Sequence, residues 1–170
     1  GGRGGGRRQG RACGADGEGM ATGGNGLILG KGAMAVICTG GAVSRCYQAG
    51  ARLGNPEMVQ VHPTAIPGED KCRLISESAR GEGVRVWGPR NPMDARKPKE
   101  IPDAERNYFL EEKYPAYGNL VPRDIATREI FQLCIEGHGV GGENQVYLNL
   151  THIPADVLTE RLGAILEIYE

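Results

Sequence analysis

The sequence predicts a mixed helix and strand fold, α+β or α/β in class, within one domain's worth of chain or two pieces of a larger one. Three observations predict it. Glycine turns at residues 20–26 and 39–41 flank a short apolar run, as at the ends of strands and helices. Segments of strand length at residues 84–87 and 146–150 alternate apolar with polar side chains. Residues 124–138 and the stretch after Pro154 repeat apolar side chains at helical spacing.

Residues 1–12 form the first segment, beginning GGRGGGRRQGR, with four arginines and no acid, which predicts a disordered end. Arginine planes can stack on RNA bases and pair with phosphates, but one short tract favours a plain disordered end over an RNA-binding arm. Met20 to Gly26 reads as a tight turn, and Ala33 to Cys38 as a short apolar strand or buried segment. Thr39-Gly40-Gly41 then opens a helix through Ala42, Val43, Cys46 and Ala49 that Gly50 closes. Met58 to Val61 reads as a strand leading into His62-Pro63, and Val84 to Trp87 as another. Four prolines and many charges between Pro89 and Asn107 predict a surface loop without chemistry. Asp124 to His138 reads as an amphipathic helix with Ile125, Ile130, Phe131, Cys134 and Ile135 on its apolar side. Pro122 and Asp124 suit its first turn, and Gly137 or Gly139 its stop. Val146 to Leu150 is a half-buried strand, and Pro154 opens a last helix with apolar residues at 158, 162, 165, 166 and 169. A start on Gly rather than Met and an end inside that helical pattern predict a segment of a longer chain.

Composition narrows the function classes. The 170 residues are 39% hydrophobic but only 5% aromatic, and 28 glycines dilute the packing, so the core is modest. A formal charge of −1 argues against a whole-surface nucleic-acid or membrane binder. No run approaches the ~20 apolar residues of a membrane span, so contact with a membrane is expected only through a partner. The five cysteines make no CxxC pair and no zinc spacing, so they read as buried or spare thiols and no metal site is expected.

Two stretches carry the chemistry. The first holds His62 and then Ser76, Glu77 and Arg80; the second holds Arg123. Imidazole, hydroxyl and guanidinium groups all bind carboxylates, and a Glu between cationic groups relays protons. Each residue alone has a plainer reading. His62 can end a strand and satisfy a loop carbonyl, Glu77 and Arg80 can be a surface pair three apart, and Arg123 with Asp124 a salt bridge at a helix start. His138 and His152 receive no catalytic role; the second reads as a capping or packing histidine.

At these motifs the chain resembles the flavoprotein subunit of succinate dehydrogenase and fumarate reductase. The resemblance is colinear from about Ala21 to Ile153, through MATGGNG at 20–26, CTGGAVSRCYQAGA at 38–51, MVQVHPTAIPG at 58–68, LISESARGEG at 74–83, YFLEEKYPAYGNLVPRDIATREIF at 108–131 and VYLNLTHI at 146–153. It implies a Rossmann-like FAD-binding domain interrupted by the capping domain of the fumarate reductase flavoprotein family. By that analogy residues 13–61 are a partial FAD-binding domain and residues 62–170 a truncated capping domain. The resemblance further implies that His62 and Ser76 hold a substrate carboxylate, and that Arg123 exchanges a proton with substrate. Glu77 and Arg80 would connect Arg123 to solvent, and Thr22, Gly23, Gly24, Thr39 and Gly40 would touch FAD.

The implied activity is oxidation of succinate to fumarate. The implied partners are an iron-sulfur subunit, a membrane anchor and quinone. The implied place is peripheral, on the cytoplasmic side of an inner or plasma membrane, or the matrix side of a mitochondrial one. Fumarate reductase and L-aspartate oxidase share the motif order, and an inactive interaction fragment with an RNA-binding end is the non-enzyme alternative. The chain departs from the family in having no GxGxxG, no histidine for covalent flavin linkage and none of the further His and Arg of the substrate site, so alone it is expected to be inactive. GADGEG at 14–19 stands where relatives have an apolar strand, and Gly32-Ala33-Met34-Ala35 replaces a more polar stretch.

Overall fold

The structure is a computed structural model that describes residues 19–30, 32–68, 72–75 and 77–167. The Arg-rich segment 1–12, Cys13, most of GADGEG, Ser76 and the last three residues lie outside the described residues. Five helices and five strands are interspersed along the described chain, with short 3-10 turns between some of them. The helices are α1 (Gly41–Gln48), α2 (Glu77–Gly81), α3 (Phe109–Lys113), α4 (Arg123–Ile135) and α5 (Ala155–Leu166). The strands are β1 (Ala65–Ile66), β2 (Arg73–Leu74), β3 (Arg85–Pro89), β4 (Arg106–Asn107) and β5 (Tyr147–Asn149). β1 and β2 form an antiparallel pair, and β3 is the centre of a three-stranded antiparallel sheet of order β4-β3-β5. All described pairings are antiparallel, so these elements take the α+β form of the expected class.

The core lies between residues 75 and 165. Ile75, Ala79 and Val84 pack with Ile153, Leu162 and Ile165, which seats α2 against α5. Val86, Phe109, Leu110, Val121, Ala126 and Leu133 form a second cluster between β3, α3 and α4. Trp87, Ile101 and Tyr108 form a third with Tyr147, whose ring stands 4.5 Å from that of Trp87. Burying each of the Val, Leu, Ile and Phe side chains among these is worth roughly 1.5–3 kcal/mol, and together the clusters fix the frame that carries the polar site.

Several expected elements differ. Ala33 to Cys38 is neither strand nor buried: it turns, and Ile37 is 82% exposed, because no described strand or helix covers its apolar side. Met58 to Val61 forms no strand either, since no described strand supplies ladder partners. In α4 the buried side chains are Ala126 and Leu133, with Ile125 and Ile130 half-buried, while Phe131 and Ile135 are exposed. The helix therefore presents a face rotated from the expected one, set by contact with α3 and β3. The segment expected to be a loop from Pro89 to Asn107 contains β4 and the buried Ile101. The helix stop falls at Gly137, whose φ of 85° is left-handed. His152 Nε2 donates to the Gly83 carbonyl at 2.9 Å, a structural contact of the capping kind expected of it.

Candidate active site

Two hydroxyl clamps bring distant stretches together. Thr64 Oγ1 donates to the Ile75 carbonyl at 3.1 Å and the Ile75 amide donates back to the Thr64 carbonyl at 3.2 Å, so the His62 loop lies beside the start of α2. Thr127 Oγ1 donates to the Val61 carbonyl at 3.0 Å, so the same loop also lies beside α4. Arg123 is the first residue of α4, placed there by Pro122, whose fixed φ suits a helix start.

Glu77 is the hub. Its carboxylate accepts from Arg123 through Nε and, at 2.7 Å, through Nη2, and from Arg80 Nη2 at 3.1 Å. The Arg123 hydrogen bonds, with Arg80 adding to them, pull the Glu77 pKa down to about 2, so it is a carboxylate at neutral pH. The same contact pushes the already high pKa of Arg123 higher. Arg80 is 5% exposed and no surface pair. Its Nη1 donates to the carbonyls of Asn119 at 3.1 Å and Val121 at 3.0 Å, and its buried Nε has no hydrogen-bond partner among the described residues.

His62 completes the group. Its Nδ1 lies 3.0 Å from the Thr64 carbonyl, 3.3 Å from the Thr64 amide and 3.3 Å from Thr64 Oγ1. A proton on Nδ1 goes to the carbonyl and leaves Nε2 an acceptor; a bare Nδ1 accepts the amide proton and leaves Nε2–H a donor. A carboxylate in front of the ring selects the second form or the imidazolium. Partial burial lowers the His62 pKa, and Arg123 and Arg80 lower it further while Thr64 and Glu77 oppose them. Among the expected residues, Glu77, Arg80 and Arg123 are thus bonded together, with His62 in their field; Ser76 lies outside the described residues.

Gln60, Thr64, Asn119 and Thr127 escaped sequence reasoning. Gln60 Oε1 accepts from Arg123 Nη1 at 3.2 Å, and its spacing of two from His62 in an extended segment was a usable signal. The hydroxyl clamps carry no such signal, because their acceptors are main-chain carbonyls far away in sequence.

The five expected flavin contacts line a different cavity. Thr22, Gly23, Gly24, Thr39 and Gly40, with Ile37 and the first turn of α1, enclose about 100 Å³. Gly40 has φ +75°, and a Cβ there would stand 2.9 Å from the Asn25 Cβ. A Cβ on Gly24 would stand 2.6 Å from Met34 Cε. The wall is therefore backbone, with the first-turn amides of α1 lacking acceptors inside the helix. Such a wall fits one polar or anionic portion of a dinucleotide, and the volume excludes the whole of it.

Comparison with known proteins gives these features a family. Over 152 residues the chain is 57% identical to the succinate dehydrogenase flavoprotein subunit of Bacillus subtilis, covering 89% of this chain and 24% of that one. It is 37% identical over 149 residues to the mitochondrial succinate dehydrogenase [ubiquinone] flavoprotein subunit of Oryza sativa, covering 87% of this chain and 21% of that one. To the L-aspartate oxidase of a Nostoc strain it is 33% identical over 151 residues, covering 88% of this chain and 23% of the relative. The chain thus spans about a quarter of the length of the curated relatives it matches. These similarities agree with the resemblance that the motifs carry. Among the described residues no helix is long and apolar enough to cross a membrane. The FAD binding domain family matches residues 20–170, from the glycine cavity through the Glu77 hub to the last helix, and the chain belongs to that family.

Proposed function

We propose that this chain provides the proton-handling and part of the carboxylate-binding machinery of a succinate dehydrogenase flavoprotein. The observation that carries the reading is the Glu77 carboxylate shared by Arg80 and Arg123, with His62 beside it. Residues 13–61 are the end of an FAD-domain segment in this reading, and residues 62–170 belong to the capping domain. Thr22, Gly23, Gly24, Thr39 and Gly40 hold one portion of FAD through main-chain amides and glycine surfaces. FAD, when bound, supplies the acceptor for the hydride that leaves succinate.

The chain's own part is the proton. His62 Nε2–H and the Ser76 hydroxyl bind one substrate carboxylate, and Arg123 faces the carbon that gains or loses a proton. An arginine with pKa above ~12 is always loaded as an acid. Fumarate reduction therefore needs only that Arg123 release a proton and be reloaded. Succinate oxidation needs Arg123 to have passed its own proton to Glu77 before it takes one from the substrate methylene. Glu77 stands where that proton can go, being ionised and bonded to Arg123 through both carboxylate oxygens, and closure of the site over substrate has to weaken that ion pair for the transfer to occur. Arg80 stabilises the Glu77 anion before transfer and so sets how readily the proton moves on.

An iron-sulfur subunit, a membrane anchor and quinone are the partners of this reading, with the flavoprotein peripheral on the cytoplasmic or matrix side of the membrane. The test is an assay of the holoenzyme carrying this chain with succinate, fumarate and aspartate. Succinate oxidation coupled to an artificial electron acceptor supports the reading; aspartate-driven peroxide formation without succinate activity replaces it with L-aspartate oxidase.

A further inference from the structure

Asn119 stands between the polar hub and the central strand. Its side-chain Oδ1 accepts from the Val86 amide of β3 at 2.9 Å, and its Nδ2 donates to Glu111 Oε1 at 2.7 Å. Those two neighbours fix the amide's orientation, since the flipped form would set NH2 against an N–H and oxygen against a carboxylate. Glu111 is itself held by Arg85, through Nε at 2.7 Å and Nη2 at 2.6 Å, and the Arg85 guanidinium lies 3.5 Å from the centre of the Tyr108 ring. Behind Asn119 is therefore a tied frame of β3 and α3. In front of it are the Asn119 and Val121 carbonyls, both taken by Arg80 Nη1. Among the described residues, the plane of that guanidinium is set by these two carbonyls at one edge and Glu77 at the other.

We propose that Asn119 is a positioning residue for the proton path: it fixes the carbonyl pair that aims Arg80, and so sets how Arg80 and Arg123 share the Glu77 carboxylate. The inference rests on the reading above that Glu77 and Arg123 carry the substrate proton. Asn119 touches neither substrate nor flavin in this account. Among the described residues the titratable groups facing Glu77 are Arg80 on its own helix, Arg123 on α4 and His62 on the loop before β1. Asn119 acts on the first of these.

The test is Asn119→Asp in the holoenzyme carrying this chain. The change keeps an acceptor for Val86 but sets a second carboxylate against Glu111, displacing the 119–121 segment. The expected kcat for succinate falls about tenfold, as misplacement in a general acid–base site does, while KM moves less than about twofold. The acid limb of the kcat–pH profile moves to higher pH, because Glu77 loses part of the attraction of Arg80 and protonates more readily. Adding Glu111→Gln supplies a donor to the new carboxylate and is expected to return kcat to within about threefold of the unmodified enzyme. A purely structural role predicts otherwise: a lower melting temperature with kcat and its pH profile unmoved overturns the inference, and so does a folded, flavin-loaded double variant that stays slow. Where Asn119→Asp yields no folded holoenzyme, Asn119→Ala, which deletes both side-chain contacts without adding charge, is measured instead: a fall in kcat with the shifted acid limb supports the inference, and a lower melting temperature with both unmoved overturns it. An unmodified holoenzyme that does not oxidise succinate overturns the proposed function itself, and this inference with it.

Discussion

Glu77 draws hydrogen bonds from two guanidinium groups, and removing its charge leaves Arg123 with Gln60 as its remaining described side-chain partner. Glu77→Gln keeps the volume and one acceptor oxygen but cannot take up a proton. In the holoenzyme it is expected to lower kcat for succinate by about 10²–10⁴-fold with a much smaller change in KM, read from steady-state kinetics. The same pair shapes the acid stability of the fold. A folded pKa of about 2, below the usual 4.5, means that the unfolded chain binds more protons. The pair's stabilisation is therefore complete above about pH 4.5 and is lost as pH falls toward 2. Denaturation midpoints of the unmodified chain and Glu77→Gln should converge across that window; a constant gap would show that Glu77 does not titrate with the fold. His62 obeys the same sign, since its lowered pKa makes protonation below the usual 6.5 unfavourable to the folded state. These residues could be singled out because their motifs are long and ordered. The plainer reading of Glu77 and Arg80 as a surface pair fails on the burial of Arg80, which depends on carbonyls some forty residues further along the chain and leaves no mark on local spacing.

Helices and turns were more legible than strands. α1 and α4 follow apolar spacing and end near glycines, and α5 opens after Pro154 with apolar residues at helical spacing, so where these helices lie could be read to within a few residues. β1, β2 and β4 have two residues each, too few to show a period of two, and exist because a partner strand lies alongside. The face that α4 buries was misread because Phe131 and Ile135 are apolar and yet exposed, while the smaller Ala126 meets α3. Burial is decided by what lies opposite, which a helical wheel does not contain. Gly88 marks the close approach of α4 and its following loop to β3, and Gly139 a tight turn within that loop. A Cβ at Gly88 would stand 2.6 Å from Leu133 Cδ2, a side chain able to move, and 3.2 Å from the His138 carbonyl. A Cβ at Gly139 would run into the main-chain carbonyl of Glu143, inside a turn where the Val140 amide bonds the Gln145 carbonyl at 2.9 Å. Gly88→Ala is expected to cost about 1–3 kcal/mol and Gly139→Ala about 3 kcal/mol or more, because main chain must shift. Urea unfolding that ranked them the other way would refute this account of the loop.

Across the molecule, the described core residues fall between 75 and 165, whereas residues 20–61 contribute no buried hydrophobic side chain. That division explains the two expected strands that did not form. Ala33 to Cys38 and Met58 to Val61 have the composition of buried strands, but composition becomes burial only when another surface removes water from it. It also separates two kinds of substitution. Leu110, with 0% exposure, sits between β3 and α4, and Leu110→Ala is expected to cost about 2–5 kcal/mol, a large share of a domain's net stability of roughly 5–15 kcal/mol. Ile37→Ala removes more side chain than many core changes do, but from solvent, and should alter stability by less than about 0.5 kcal/mol. Amide hydrogen exchange reads the same contrast in one experiment: slow exchange for the bonded amides of β3, β5 and α4, fast exchange through residues 20–61. Added FAD should then slow the amides around Gly23, Gly40 and Gly41, since a ligand protects the groups it covers, and leave β3 and β5 unchanged. Protection that FAD raised uniformly through residues 75–165 would mean that the core and the glycine cavity form one cooperative unit, and the division drawn from burial would be wrong.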